Sequence, residues 1–313
     1  MRRTDCGSRG RGRVLKKSKS LRGRKISNRE KAEIVRSLRH KHKLRHLLAA
    51  AKLSERMYYY WVKKLDEKDE HEDLKAKIVE IYRENKCRYG YRRIALDLDK
   101  AGMHRNHKLI LRLMRDMGIQ GKGTAKKYVS YKGNVGNIAP NILNRHFNAD
   151  APNKALVTDV TMFKVRGQKV YLSPMIDLYD GLVIAHSTAV NNDFSLVMSM
   201  TEKAFSVIPP DAHPIIHSDQ GWQYRHKLYV EMLKSHGAVQ SMSRKGNCYD
   251  NAAAESFFGR LKCEFFKGNK FKSVKDFIEK LNDYIDYYNN RRIKQKLSGL
   301  SPAQYRQQTG MVA

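Results

Sequence analysis

Leu156-Val157-Thr158-Asp159-Val160-Thr161 sets a carboxylate inside an apolar, β-branched run. The composition of the run predicts a strand, and a charge within a strand is costly unless something offsets it. A second short apolar strand, Pro214-Ile215-Ile216-His217-Ser218, ends in Asp219, after which Gln220-Gly221 turns the chain. A third acid, Glu255, lies in Asn251-Ala252-Ala253-Ala254-Glu255-Ser256-Phe257-Phe258, at the start of a helix. Taken singly, each acid reads as an ordinary hydrogen-bonded residue. Gathered, the three would repel one another and raise their pKa values unless a hard divalent cation sat between them. Mg²⁺ prefers such oxygen ligands and keeps waters for a phosphate-bearing substrate.

Outward from these acids the pattern is α/β. Residues 155–165, 169–178 and 182–190 read as strands at hairpin-like intervals. A helix is expected over 194–207, a strand over 214–217, a helix over 224–236, a strand over 239–242 and a helix over 251–265. A further amphipathic helix covers 276–289, with Phe277, Leu281, Tyr284, Ile285 and Tyr288 along one side. On the helix bearing Glu255, Ala254, Phe258, Leu261 and Phe265 form the apolar stripe. Asn251, Glu255, Gly259 and Lys262 share an adjoining face, on which Gly259 leaves room for a substrate strand and Lys262 can meet a phosphate. Other polar residues keep two readings. Asp177 and Asp180 are extra acids near strand ends, and Asp177 is a candidate metal ligand. His217 either positions a water or phosphate or is simply packed. Asp250 reads as a helix cap, and Asn251 as a residue that orients Glu255 or DNA.

The rest of the chain is strongly basic. Lysine and arginine number 62 against 31 aspartates and glutamates, a net charge of +31. Residues 1–150 hold 40 basic and 16 acidic side chains, and residues 151–313 hold 22 and 15. That asymmetry points to a polyanion-binding N-terminal half, nucleic acid above all. The organisation expected is a basic arm at 1–27, with a short helical option at 14–21, and a helix-turn-helix at 28–66. A second helical DNA-binding region follows at 67–120, then a basic linker at 121–150, an α/β core at 151–270 and a helical extension at 271–313. Ser54 is a good N-cap for a helix carrying Tyr58, Tyr59, Tyr60 and Trp61, and Asn106 for one over 107–117. The latter buries Ile110, Leu113, Met114 and Met117 and turns His107, Lys108, Arg112 and Arg115 outward, as suits a DNA groove. In the linker, Lys126, Lys127 and Lys132 could track a phosphate backbone. No apolar run approaches the length of a membrane span. The four cysteines form no CxxC pair, so zinc and a disulfide framework are not expected, and a reducing cytoplasm fits.

The spacing of the acids is distinctive: 59 residues separate Asp159 from Asp219 and 35 separate Asp219 from Glu255. This resembles the DDE transposases and retroviral integrases, which also carry a basic residue seven positions after the glutamate, here Lys262. The chain is more closely similar to bacterial transposases of the insertion-sequence-three family, in the product of their second reading frame. The matching stretches are Val157-Thr158-Asp159-Val160-Thr161, Ile176-Asp177-Leu178, His217-Ser218-Asp219-Gln220-Gly221-Trp222-Gln223-Tyr224, Ser243-Arg244-Lys245-Gly246-Asn247, Asp250-Asn251-Ala252, Glu255-Ser256-Phe257-Phe258 through Lys262 and Glu264, Tyr288-Asn289-Asn290-Arg291-Arg292 and Leu300-Ser301-Pro302. Arg88 to Ile94 resembles the helix-turn-helix that precedes the core in that family. Leu156 stands where the family often has Trp, and Ile293-Lys294 where many members have His.

The resemblance implies an RNase H-like integrase catalytic core preceded by an all-helical helix-turn-helix region. It implies a DDE transposase that cleaves and joins DNA strands at the element's ends by two-metal phosphoryl transfer. Asp159, Asp219 and Glu255 would hold two Mg²⁺ ions, with Mn²⁺ a plausible substitute. Lys262, Arg112, Arg115, Lys108, Arg92, Arg93 and Lys245 are candidate DNA contacts. The expected partners are the terminal inverted repeats and target DNA, further copies of the chain on DNA, and the upstream-frame protein or a fusion with it. No membrane is expected, and the expected location is the bacterial cytoplasm at the nucleoid. A nuclease of the same fold that does not join, and a catalytically inactive DNA-binding regulator, remain the alternatives.

Overall fold

The computed structural model describes residues 27–66, 69–121, 138–244 and 247–309. The expectations for residues 1–26, for 122–137 and for Lys245 lie outside them. The chain divides into two compact units, Met1–Leu74 and Lys75–Ala313.

The first unit contains α1 (Asn28–Leu38), α2 (Leu44–Ala51) and α3 (Glu55–Asp66). Ser27 and Glu30 close a reciprocal capping box on α1, with bonds of 2.8 and 3.2 Å, which satisfies two otherwise orphaned donors. Lys52, left-handed at φ 50°, ends α2. The Ser54 hydroxyl accepts from the Met57 N–H at 3.3 Å and starts α3. Three residues, Lys52, Leu53 and Ser54, join these two helices. Ala32, Val35, Leu38, Leu47, Leu48, Ala51, Leu53 and Tyr58 form its core. The aromatic run divides: Tyr58 is fully buried, while Tyr59 and Tyr60 are 46% and 50% exposed.

Three helices precede the sheet: α4 (Glu72–Glu84), α5 (Tyr91–Lys100) and α6 (His107–Asp116). Asn106 caps α6 by accepting from the Lys108 N–H at 2.8 Å. Gly102 and Gly118 end α5 and α6 with φ of 74° and 69°, a conformation that costs glycine little. Tyr89 ties this helical region to the C-terminal segment. Its hydroxyl donates to the Arg291 carbonyl and accepts from the Ile293 N–H, at 3.3 and 3.1 Å.

One mixed sheet follows: β1 (Ala155–Thr158), β2 (Thr161–Val165), β3 (Gln168–Asp177), β4 (Val183–Ala189), β5 (Ile215–Ser218) and β6 (Val239–Met242). Its order is β2-β3-β1-β5-β6, with β4 on the other edge of β3. The β2–β3 hairpin turns on Arg166 and Gly167, both at positive φ, as a two-residue turn requires. Thr158 pairs with Met175 and Thr161 with Leu172. A single antiparallel register therefore runs through β1 and β2, and Asp159 falls opposite Pro174. Proline has no N–H to give the ladder, so the run expected as one strand breaks at Asp159-Val160. The acid stands at a strand end, not in a strand interior.

The helices α7 (Phe194–Phe205), α8 (Lys227–Ser235), α9 (Ala252–Leu261), α10 (Val274–Asn290) and α11 (Pro302–Gln308) complete the unit. Leu156, Met175, Ile216 and Met242 from the sheet pack with Val197, Met200, Tyr229 and Leu233 in the main core. The helix expected over 224–236 is a 3₁₀ turn at Trp222–Arg225 followed by α8. The one expected over 251–265 changes at Lys262 into a π turn, Lys262–Phe266. Among the described residues no helix is long and apolar enough to cross a membrane.

Candidate active site

β1 and β5 are parallel neighbours, with Ala155 opposite Ile215 and Val157 opposite His217. The offset is 60 residues, so two steps further on Asp159 stands opposite Asp219, on the same face. Adjacent strands lie about 4.8 Å apart, so the two carboxylates emerge side by side at the strand ends. Each is braced locally: Val160 N–H donates to Asp159 Oδ1 at 2.7 Å, and Gly221 N–H to Asp219 Oδ1 at 2.8 Å. A Cβ at Gly221 would come within 2.9 Å of that same Asp219 oxygen, which accounts for glycine there. Beneath the pair lies the fully buried Tyr224, whose hydroxyl is 3.5 Å from Thr158 Oγ1.

The electrostatics are those of crowded acids. Loss of water and then the Asp219 charge push Asp159 well above the usual carboxylate range; Glu255 adds to the rise, and Val160 N–H and Lys262 oppose it. Asp219 is exposed as a residue, yet the protein around its carboxylate raises its pKa against the Gly221 N–H and the Arg225 charge. Tyr224 is held neutral by burial and by both aspartates. Glu255 lies in the first turn of α9, half-buried, and burial raises it too. Lys262 is half-buried; burial lowers its pKa and Asp159 raises it. Its ammonium lies 5.8 Å from the Phe163 ring centroid. A Cβ at Gly259 would meet no neighbouring atom within 4 Å outside its own helix turn. Among the described residues no three His, Cys, Asp or Glu side chains close around a common point as a finished metal cage. The aspartates form the pair, and Glu255 and Lys262 reach it through their charges.

Asn251 begins α9 one turn before Glu255. It is buried, its Nδ2 is 3.5 Å from the Thr158 carbonyl, and its Oδ1 has no hydrogen-bond partner among the described residues.

Other residues named from sequence have different work. His217 is packed: its ring nitrogens meet the hydroxyls of Ser241 and Ser243 at 2.9 and 3.1 Å, and burial lowers its pKa to about 4. Asp177 and Asp180 are each 2.7 Å from the Arg306 guanidinium, so Asp177 is a structural residue and not a metal ligand. Asp250 does not cap α9. It is fully buried and receives bonds from Asn141, Arg145 and Arg244, and the Arg244 bond leads in holding its carboxyl far below the usual range. Arg93 turns inward, with its guanidinium 3.3 Å from Glu264. Lys108, Arg112 and Arg115 on α6, and Arg92 on α5, are exposed.

Two arrangements gave no local signal. Tyr224 lies under the aspartates only because the 3₁₀ turn returns it there. Glu264, on the π turn, is a hub: Arg292 reaches it through two bonds of 2.8 and 2.6 Å, and Tyr284 donates at 3.0 Å. Against the cost of burial, Arg292 holds Glu264 down at about 2. The Lys294 ammonium donates to the carbonyls of Asp180 and Gly181, both at 3.0 Å.

An integrase core domain model matches residues 149–248, a second integrase core model residues 255–309, and an HTH-like domain model residues 68–128. The putative transposase InsK for insertion sequence element IS150 of Escherichia coli K12 is 47% identical over 279 residues, covering 89% of this chain and 99% of that relative. The transposase InsF for insertion sequence IS3A of the same organism is 32% identical, covering 73% of this chain and 80% of that one. The chain belongs to the insertion-sequence-three family of transposases. An uncharacterized transposase-like protein of Haemophilus influenzae is 46% identical to this transposase, over 65% of this chain and 94% of the relative. The transposase thus carries an RNase H-like integrase core behind a helical region with an HTH-like domain. It is an enzyme of the polynucleotidyl transferase kind.

Proposed function

We propose that the transposase cleaves and joins DNA strands at the ends of its element, with Asp159, Asp219 and Glu255 as ligands for two Mg²⁺ ions. The observation that carries this reading is the in-register Asp159–Asp219 pair, in which burial and then the Asp219 charge raise the pKa of Asp159 and a third acid, Glu255, adds to the rise. A site that gathers negative charge suits a hard cation. The unpartnered Asn251 Oδ1 beside it could accept a hydrogen bond from a cation's water. When bound, divalent cations supply Lewis-acid polarisation of the phosphodiester and charge for the attacking and leaving oxygens.

The chain's own residues do the rest. Tyr224 keeps the floor neutral. Lys262, on the same side of the helix as Glu255, engages a phosphate of the strand whose 3′ end is at the acids, while Gly259 leaves that strand room. Lys108, Arg112 and Arg115, exposed on α6, contact the phosphates of the element's terminal repeat, and several copies of the chain assemble on DNA.

The test uses labelled element-end DNA, Mg²⁺ or Mn²⁺, and the variants Asp219→Asn and Glu255→Gln. Both variants should lose cleavage and joining while still binding ends. Near-normal joining by either would remove that residue from the ligand set. Cleavage without joining by the wild type would mark the protein as a nuclease.

A further inference from the structure

A cavity of about 830 Å³ lies behind the catalytic helix. On α9 it is lined by Ala253, Ser256, Phe257 and Arg260. At 100° per residue these four share one side, and Glu255 lies about 150° round from their mean direction. The cavity is therefore separate from the three acids. Its other walls come from the start of α5, from α6, and from residues 179–181 and 294–297.

The charge of the walls is one-sided. Arg88, Arg92, Arg115, Arg260 and Lys296 line the cavity, and none makes an ion pair with a carboxylate among the described residues. The acids that reach it, Asp177 and Asp180, share the Arg306 guanidinium. Arg88 is the telling residue. It is only 7% exposed, its guanidinium lies over the Tyr284 and Tyr287 rings at 5.0 and 4.4 Å from their centroids, and its Nε has no hydrogen-bond partner among the described residues. The ring faces offset part of the cost of burying a guanidinium, and an anion would offset more. Met114, Phe147 and Phe257 add apolar surface, and the volume falls within the roughly 300–1,000 Å³ of ligand sites.

We propose that this cavity binds a phosphate-bearing nucleotide unit, with the phosphate at the cations of its wall, Arg260 among them, and the base on the apolar wall. Guanidinium groups suit phosphate oxygens, and aromatic and apolar side chains suit the face of a base. The nucleotide comes from a DNA strand or from free solution. The inference leans on the transposase reading only for the first of these sources.

The test is equilibrium binding to the full chain, without divalent metal and at fixed salt, of three probes: a 5′-phosphorylated trinucleotide, a deoxynucleoside 5′-monophosphate and inorganic phosphate. Arg260→Gln removes a half-exposed cation, and Ser256→Trp fills the space from an exposed position. Both spare the stacked Arg88, and thermal melting checks their fold. Each should weaken trinucleotide binding at least tenfold, while Lys234→Gln, which removes an exposed lysine outside the cavity, should not. Equal binding of the monophosphate would assign a free nucleotide; preference for the trinucleotide would assign DNA. The proposal is overturned if both cavity variants bind as the wild type does, if no probe saturates, or if inorganic phosphate binds as tightly as the nucleotides. Repeating the assay in Asp159→Asn separates the two ideas, since binding should persist there whatever becomes of the three-acid reading.

Discussion

Asp159→Asn should stabilise the metal-free protein while abolishing its chemistry. The substitution keeps an oxygen for the Val160 N–H bond of 2.7 Å and removes one of two charges at adjacent strand ends. Two unit charges about 5 Å apart repel by about 0.8 kcal/mol at the dielectric constant of water and about 3 kcal/mol at an effective value of 20. Asp219 is exposed, so water screens the pair and about 1 kcal/mol is expected. In a unit of this size that raises Tm by about 2–4 °C. The sign with pH follows from the raised pKa of Asp159. The folded state binds more protons than the unfolded one, so stability falls as pH rises from the unfolded value near 4 through the folded value. The gain from Asp159→Asn should thus vanish at pH 4 and be complete above the folded pKa. Melting curves in chelator across that range measure it. Added Mg²⁺ should then stabilise the wild type more than the variant. A variant no more stable than the wild type in chelator at neutral pH would refute the crowding argument.

Three further outcomes follow from the geometry. Lys262→Glu should lose strand joining, Lys262→Ala should lose part of it with recovery at low salt, and Lys262→Arg should be mild; joining at two salt concentrations separates them. Lys108→Gln with Arg112→Gln should lower the slope of log affinity for end DNA against log salt by about 0.9 for each phosphate left without its cation, and an unchanged slope would remove this face of α6 from the interface. Glu264→Gln should destabilise by about 3–5 kcal/mol, because it leaves the buried Arg292 without its counter-charge; the urea midpoint reads this. Glu264 is lowered to about 2, so its contribution is full above the unfolded value near 4.3 and is lost as pH falls toward 2. The Gln variant should lack that part of the acid dependence.

The parts that sequence made legible are those governed by near neighbours. Ser54 and Asn106 cap their helices because capping is a bond three residues long or less. Asp159, Asp219 and Glu255, each ordinary when taken singly, stand out as a set by their spacing of 59 and 35 residues. What could not be read depends on partners far along the chain. Arg93 looked like an outward cation on a basic helix, but its partner Glu264 is 171 positions away. Asp250 looked like a cap because capping is what an acid before a helix ordinarily does; Arg145, 105 positions earlier, makes it a hub. The break at Asp159-Val160 needed both the register of β3 and the missing N–H of Pro174. The π turn at Lys262–Phe266 has no period that distinguishes it from a continuing α-helix.

The 60-residue offset between β1 and β5 also says where the gene can change length. Residues 155–159 and 215–219 must keep step with one another, while the chain between them can grow or shrink at turns that lie outside the paired strands. Additions at Arg166-Gly167, or between Ser206 and His213, leave the aspartates abreast. A single residue added beside Ile216 does not, because side chains alternate across a strand. It would turn the Asp219 carboxylate to the far side of the sheet while leaving every residue of the chain in place. Length variation among copies of such an element should therefore collect at the turns and be absent from the two short strands.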